Sequence, residues 1–233
     1  MSAYAEWRYD EYRQVGKDYG QPEEAEAYDK SHAQFRDVDA ENRQLLELLE
    51  LSSSARIADF GCGTGAFAVR AADQCESVVA VDVSEAMLRQ ARERSEAAGT
   101  SNIEFQRSGY LDFAADEESL DAATSSFSLH HLPDFWKSQA LVRINRALKP
   151  GGLFFLRDVV YRDSGEISLV NGFVEKQAEL GGEFLREDAL GHFREEFSTY
   201  DWIMKGLLEK GGFEVESQNW EHPVVATYLC RRL

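Results

Sequence analysis

The stretch Asp59-Phe60-Gly61-Cys62-Gly63-Thr64-Gly65 constrains this chain more than any other. It follows the short apolar run Ile57-Ala58 and leads into AFAVRAA, so it reads as a strand, a tight glycine turn and the start of a helix. Glycines at 61, 63 and 65 take away the side chains that would keep a ligand off the backbone, and they permit angles that other residues avoid. Gly61-x-Gly63-x-x-Ala66 also satisfies a dinucleotide fingerprint. Asp59 weighs against a pyrophosphate, which a carboxylate at ~4 Å would repel by ~1 to ~4 kcal/mol depending on the dielectric. An ammonium would be attracted, so the turn suits a ligand with an adenosine at one end and an amino acid at the other.

A chain of 233 residues is long enough for one well-buried α/β domain and short for two. Its net charge of -17 repels nucleic acid and anionic membrane surfaces, which argues against either as a partner. Cys62, Cys75 and Cys230 have no metal-ligand spacing and no even count, as expected of a reducing, cytoplasmic setting. Neither a signal peptide nor an apolar run of the ~20 residues that span a bilayer is visible.

Residues 1–55 read as helical pieces rich in aromatics: Tyr4, Trp7, Tyr9 and Tyr12, then Tyr28, His32 and Phe35 at helical spacing. Leu45, Leu46, Leu48, Leu49 and Leu51 form a helix packed on the sheet, ended by Ser52-Ser53-Ser54. Ser77 to Val81 is a buried parallel strand, ending on Asp82. That acid stands 21 residues after Gly61, the spacing at which a carboxylate reaches ribose hydroxyls. Ser84 caps a helix over 85–98. A strand over 102–107 leads to Gly109, Tyr110 and Asp112. Another over 120–125 exits through 126–131, and Pro133-Asp134 open a long helix. Lys149-Pro150-Gly151-Gly152 turns into a fifth strand at 153. A polar, helix-rich insert follows from 159 to about 200, then a helix ended by Gly211-Gly212 and two strands. One domain results, divided into 1–55, a core of 56–158, the insert 159–200 and a C-terminal part 201–233.

DFGCGTG, VDVSEAM at 81–87, SSFSLHHLPD at 125–134 and ALKPGGLFFL at 147–156 occur in the order found in class I S-adenosylmethionine-dependent methyltransferases, and from Ile57 to Asp158 the chain resembles that family. The resemblance implies an α/β fold with a doubly wound, mostly parallel seven-stranded Rossmann-like sheet of order 3-2-1-4-5-7-6, its last strand antiparallel, under a helical N-terminal lid. It implies S-adenosyl-L-methionine as cofactor and a small-molecule methyl acceptor. The cofactor-binding set is then Tyr28, Asp59, Gly61, Cys62, Gly63, Gly65, Asp82, Val83, Gly109, Tyr110, Ser126 and Phe127, with Tyr28 carried over as a lid tyrosine near the methionine part.

Many family members place an acid on the adenine amino group where this chain has Gly109. Backbone groups of Gly109 and Tyr110, the Tyr110 ring lying on the adenine face, or Asp112 are the replacements available. In some O-methylating relatives the His of a similar LHHLPD works with a carboxylate at the end of strand 5. Here that implies His131 with Asp158, His130 being the alternative. Tyr161, Tyr200 and Trp202 stand ready to line the acceptor pocket. The competing readings are a silent S-adenosylmethionine-binding protein that acts through partners, and a nicotinamide-dependent oxidoreductase.

Overall fold

Residues 57–60 and 77–82 are too apolar to leave either face in water, and both become buried strands in the computed structural model, which describes residues 6–233 except 14, 17, 35 and 163–165, and side chains except also those of 27, 31, 32 and 166. Tyr4 and Phe35, and the side chain of His32, therefore lie outside the described residues. The strands are β1 (Arg56–Phe60), β2 (Ser77–Asp82), β3 (Ile103–Arg107), β4 (Leu120–Ser126), β5 (Leu148–Tyr161), β6 (Thr199–Tyr200), β7 (Phe213–His222) and β8 (Val225–Arg232). They run in the order β3-β2-β1-β4-β5-β8-β7, parallel through β5, with β8 antiparallel to β5 and β7. This is the expected order once the two-residue β6, which adds in parallel to Val160-Tyr161, is left out of the count.

Helices α1 (Pro22–His32), α2 (Val38–Leu49), α3 (Ala66–Ala72), α4 (Glu85–Ala98), α5 (Asp134–Ala147), α6 (Glu166–Glu195) and α7 (Asp201–Lys210) join and cover the strands. Local chemistry sets their starts. Asp37 caps α2 by accepting from the Ala40 N–H at 2.9 Å, and Ser84 caps α4 through Met87 at 3.1 Å. One apolar layer, with Phe60, Leu141, Phe154 and Tyr228, packs on one face of the sheet, and a second, with Leu45, Leu46, Ile57, Phe67 and Phe155, on the other. Leu48, expected in the core, is 42% exposed, because it lies on the outer side of α2 from buried Leu45 and Leu49. The Lys149–Gly152 turn lies inside β5 as a bulge: Leu120 pairs with Leu148 but Ala122 with Leu153.

The insert is α6, broken at Gly181-Gly182, where Gly182 has φ +66° and ψ -152°, so two arms meet at an angle. The chain after it is pinned to the exit of β4. Phe197 N–H donates to His130 O at 2.9 Å, Thr199 Oγ1 to Asp134 Oδ2 at 3.0 Å, and buried Lys137 bonds Asp134 and the Phe197 carbonyl. The strand order reverses between β1 and β4, and a crevice therefore opens beyond their carboxyl ends.

Candidate functional site

At that crevice the glycine turn lies open to a cleft of about 880 Å³, counted with the solvent at its mouth. Gly61 has φ +65°, and a Cβ there would run into the Ser128 side chain. The turn is held by Asp82, whose Oδ2 accepts from Gly63 N–H at 2.9 Å and whose Oδ1 accepts from Ser84 N–H at 2.8 Å. Burial pushes the Asp82 carboxyl up, and those backbone donors oppose the shift. Gly61, Gly63, Asp82, Val83, Gly109, Tyr110, Ser126, Phe127 and Tyr28 all line the cleft.

Asp59, Cys62 and Gly65 do not. The Asp59 side chain turns into the sheet, where Thr124 Oγ1 donates to Oδ1 at 2.7 Å from the paired position on β4. Burial raises its pKa to about 7, with the Thr124 bond opposing and Asp82 adding to the rise. It is not placed to meet a ligand's ammonium. Cys62 packs against the leucines of α2, and burial raises its thiol well above the usual range. Gly65 opens α3, where a Cβ would meet Ala91 of α4; its part is helix packing. The Tyr110 ring lines the cleft with one face stacked on Phe60 at 5.3 Å, and its hydroxyl bonds Ser125 and Ser128. Asp112 accepts from Gly109 N–H at 2.7 Å and from Tyr12 Oη at 2.9 Å, outside the cleft lining.

The N-terminal segment supplies the opposite wall through Tyr9, Glu11, Arg13, Val15, Tyr19 and Tyr28. Thr64 Oγ1 donates to Asp29 Oδ1 at 2.7 Å and Ser84 Oγ to Tyr19 O at 2.6 Å, fixing α1 and Tyr19 over the turn. Glu11 is the residue that the sequence did not disclose. Its carboxylate accepts from the N–H groups of Tyr110 and Leu111 at 2.7 and 2.8 Å, and it fills the space that a side chain at 109 would take. Burial raises its pKa to about 7, against the pull of those two N–H donors. The one signal in the sequence was the missing acid at 109.

A second, larger cavity of about 1470 Å³, also counted with open solvent, lies beneath α6. Tyr19, Tyr28, Phe127 and His131 line both spaces and form the junction between them. Phe127 sits there at φ +54°, a costly angle for a bulky residue, with the Arg36 guanidinium 4.3 Å from its ring centre. Tyr161, Tyr200 and Trp202 do not line the cavity. Tyr161 packs on Phe193 and Tyr200, and Trp202 is 63% exposed.

The two histidines divide differently from the expected pairing. Asp158 bonds His130 Nδ1, not His131, because the turn over Leu129–His131 directs the first ring into the protein and the second toward the junction. His130 Nε2 lies 3.2 Å from Glu196 Oε2, and His192 Nδ1 contacts the same oxygen. Burial disfavours a charge on His130, but Asp158 and Glu196 overcome it and raise the pKa to about 10. Such a ring already holds its proton at neutral pH and cannot take another. His131 goes the other way: burial, then the charge on His130, lowers it to about 4, and it stays neutral.

The chain matches the methyltransferase-domain family model over residues 57–152. It is 27% identical over 195 residues to an uncharacterized methyltransferase of Geobacillus sp. strain WCH70, covering 82% of this chain and 86% of that one. A demethylmenaquinone methyltransferase of Listeria welshimeri is 24% identical over 187 residues, covering 78% and 72%. A crystal structure of a SAM-dependent methyltransferase from Aquifex aeolicus shares the fold with a TM-score of 0.65 at 18% identity, covering 91% of this chain and 99% of that one.

Proposed function

We propose that this class I S-adenosylmethionine-dependent methyltransferase transfers the methyl group to a small molecule held in the cavity beneath α6. The observation that carries this reading is the meeting of the glycine-turn cleft with that cavity at Tyr19, Tyr28, Phe127 and His131. S-Adenosylmethionine supplies an activated sulfonium methyl. What remains for the protein is to hold an acceptor in line at near-attack distance and to keep water out.

In this reading Asp82 takes the ribose hydroxyls, since each of its oxygens keeps a lone pair beyond the one given to the turn. Glu11 stands in for the acid absent at 109, its carboxylate meeting the adenine amino group. The N-terminal segment is the lid, with Tyr28 beside the methionine part. His131 orients a hydroxyl on the acceptor and receives its proton; a ring kept neutral has a free nitrogen lone pair but is a weak base, so orientation is the larger part of its role. His130 and Asp158 hold the loop rather than move the proton. The acidic chain, at -17, argues for a small acceptor over nucleic acid.

Two measurements test the reading. Calorimetry should detect binding of S-adenosylhomocysteine and none of NADH; the reverse would return the chain to the oxidoreductases. A screen of small hydroxyl, amine and thiol acceptors should yield methylated product. Tight cofactor binding with no acceptor turned over would favour a silent binding protein.

A further inference from the structure

We propose that His130, His192 and Glu196 form a binding site for one divalent metal ion of the zinc type, at the wall of the cavity beneath α6. Nε2 of His130, Nδ1 of His192 and a carboxylate oxygen of Glu196 lie within 4.8 Å of one another. The 3.2 Å between His130 Nε2 and Glu196 Oε2 is close to the ~3.4 Å that separates neighbouring donors around a tetrahedral zinc with bonds of ~2.1 Å, while His192 Nδ1 stands closer to that oxygen and would move apart from it to admit the ion. Glu196 Oε2 is buried and has no aligned hydrogen bond, although both imidazole nitrogens are beside it. A cation among the three takes the place of the proton held between Glu196 Oε2 and the two rings, and that proton leaves to solvent as the ion binds.

The outer ring nitrogens strengthen the assignment. A metal-bound histidine characteristically donates its other N–H to an oxygen, which fixes tautomer and orientation. Here His130 Nδ1 is bonded to Asp158 Oδ1 and His192 Nε2 to Ser198 Oγ at 2.8 Å. Both rings are therefore already turned to present the inner nitrogen to the same point. The pieces come from three places in the chain, the β4 exit, the end of α6 and β5, and the bonds of Phe197 and Thr199 hold them in register. Two histidines and one carboxylate also leave a coordination position free, the arrangement that lets zinc take up an oxygen ligand. That all three residues line the cavity gives this position access to an acceptor's oxygen. This last role rests on the methyl-transfer reading; the ion's binding does not.

The test is a titration of the chelator-treated full chain with Zn²⁺ against a chromophoric competitor, in magnesium-containing buffer so that diffuse binding to the acidic surface is already satisfied, followed by the visible spectrum with Co²⁺. The expected result is one equivalent bound with submicromolar affinity. Glu196→Gln, nearly isosteric, and His192→Ala should each weaken it at least 100-fold, Asp158→Asn by ~10- to 100-fold, and His222→Ala, in the same cavity but outside the triad, not at all. Zn²⁺ should raise the melting temperature of the natural chain and not that of folded Glu196→Gln. Absence of a stoichiometric site, or affinity unchanged in Glu196→Gln, would overturn the proposal and leave the cluster as an ion-pair network. Neither outcome depends on whether methyl transfer is found.

Discussion

Asp82 carries two loads at once, bracing the glycine turn through Gly63 and Ser84 and facing the cleft. Asp82→Ala should therefore weaken S-adenosylmethionine binding by ~1.5 to 3 kcal/mol for each charge-assisted bond lost, tenfold or more in the calorimetric Kd. An unchanged Kd would refute the ribose assignment. Asp59 has a different signature. Its folded pKa of about 7 lies above the ordinary 3.8, so the folded chain keeps a proton that the unfolded chain has lost. The stability this gives is complete below about pH 4 and disappears as pH rises to 7. Asp59→Asn, which can still accept from Thr124, should flatten that slope and raise the melting temperature above pH 7, measured by thermal melts across the range; an unaltered slope would show the carboxyl to be charged throughout. His131→Ala should leave cofactor affinity intact and slow methyl transfer by ~10²-fold or more. A loss below tenfold would remove its role. The glycine turn and Asp82 were legible because one short segment contains strand, turn and spacing. The histidines were not: adjacent residues on a tight turn point in different directions, and nothing in LHHLPD says which ring meets Asp158. Glu11 was hidden for a similar reason, since it reaches Tyr110 from 99 residues away.

At the scale of elements, the N-terminal segment and α6 are the walls of the two spaces. Deleting residues through Asp37 removes Glu11, Tyr19 and Tyr28 from the cleft, and should raise the Michaelis constant for the cofactor and admit water. A truncated enzyme with natural kinetics would reduce the segment to packing. Gly182 occupies a region of backbone space that side chains avoid, at a cost of ~1 to 3 kcal/mol for Ala. Gly182→Ala should change the angle between the arms of α6, altering the Michaelis constant for the acceptor while S-adenosylhomocysteine binds as before; a shift in cofactor affinity instead would contradict the division of labour. The sheet and its helices could be read because apolar runs and capping residues repeat locally. The insert was legible as helical, but its break at Gly181-Gly182 and the pairing of β6 with β5 were not, since both depend on contacts distant in sequence.

At the scale of the whole molecule, a reversal of strand order opens one crevice, the glycine turn keeps it accessible, and the N-terminal segment walls both the glycine-turn cleft and, with α6, the adjoining cavity. No helix among the described residues is long and apolar enough to cross a membrane. For methyl transfer, donor and acceptor must meet at Phe127 and His131, where the two spaces join. The most direct measurement incubates the full chain with isotopically methyl-labelled S-adenosylmethionine and a panel of small acceptors and follows both products by mass spectrometry. Labelled product should form together with S-adenosylhomocysteine, only when an acceptor is present, and should fall sharply with Phe127→Ala. Tight donor binding with no label transferred to any acceptor, or transfer unaffected by Phe127→Ala, would contradict it.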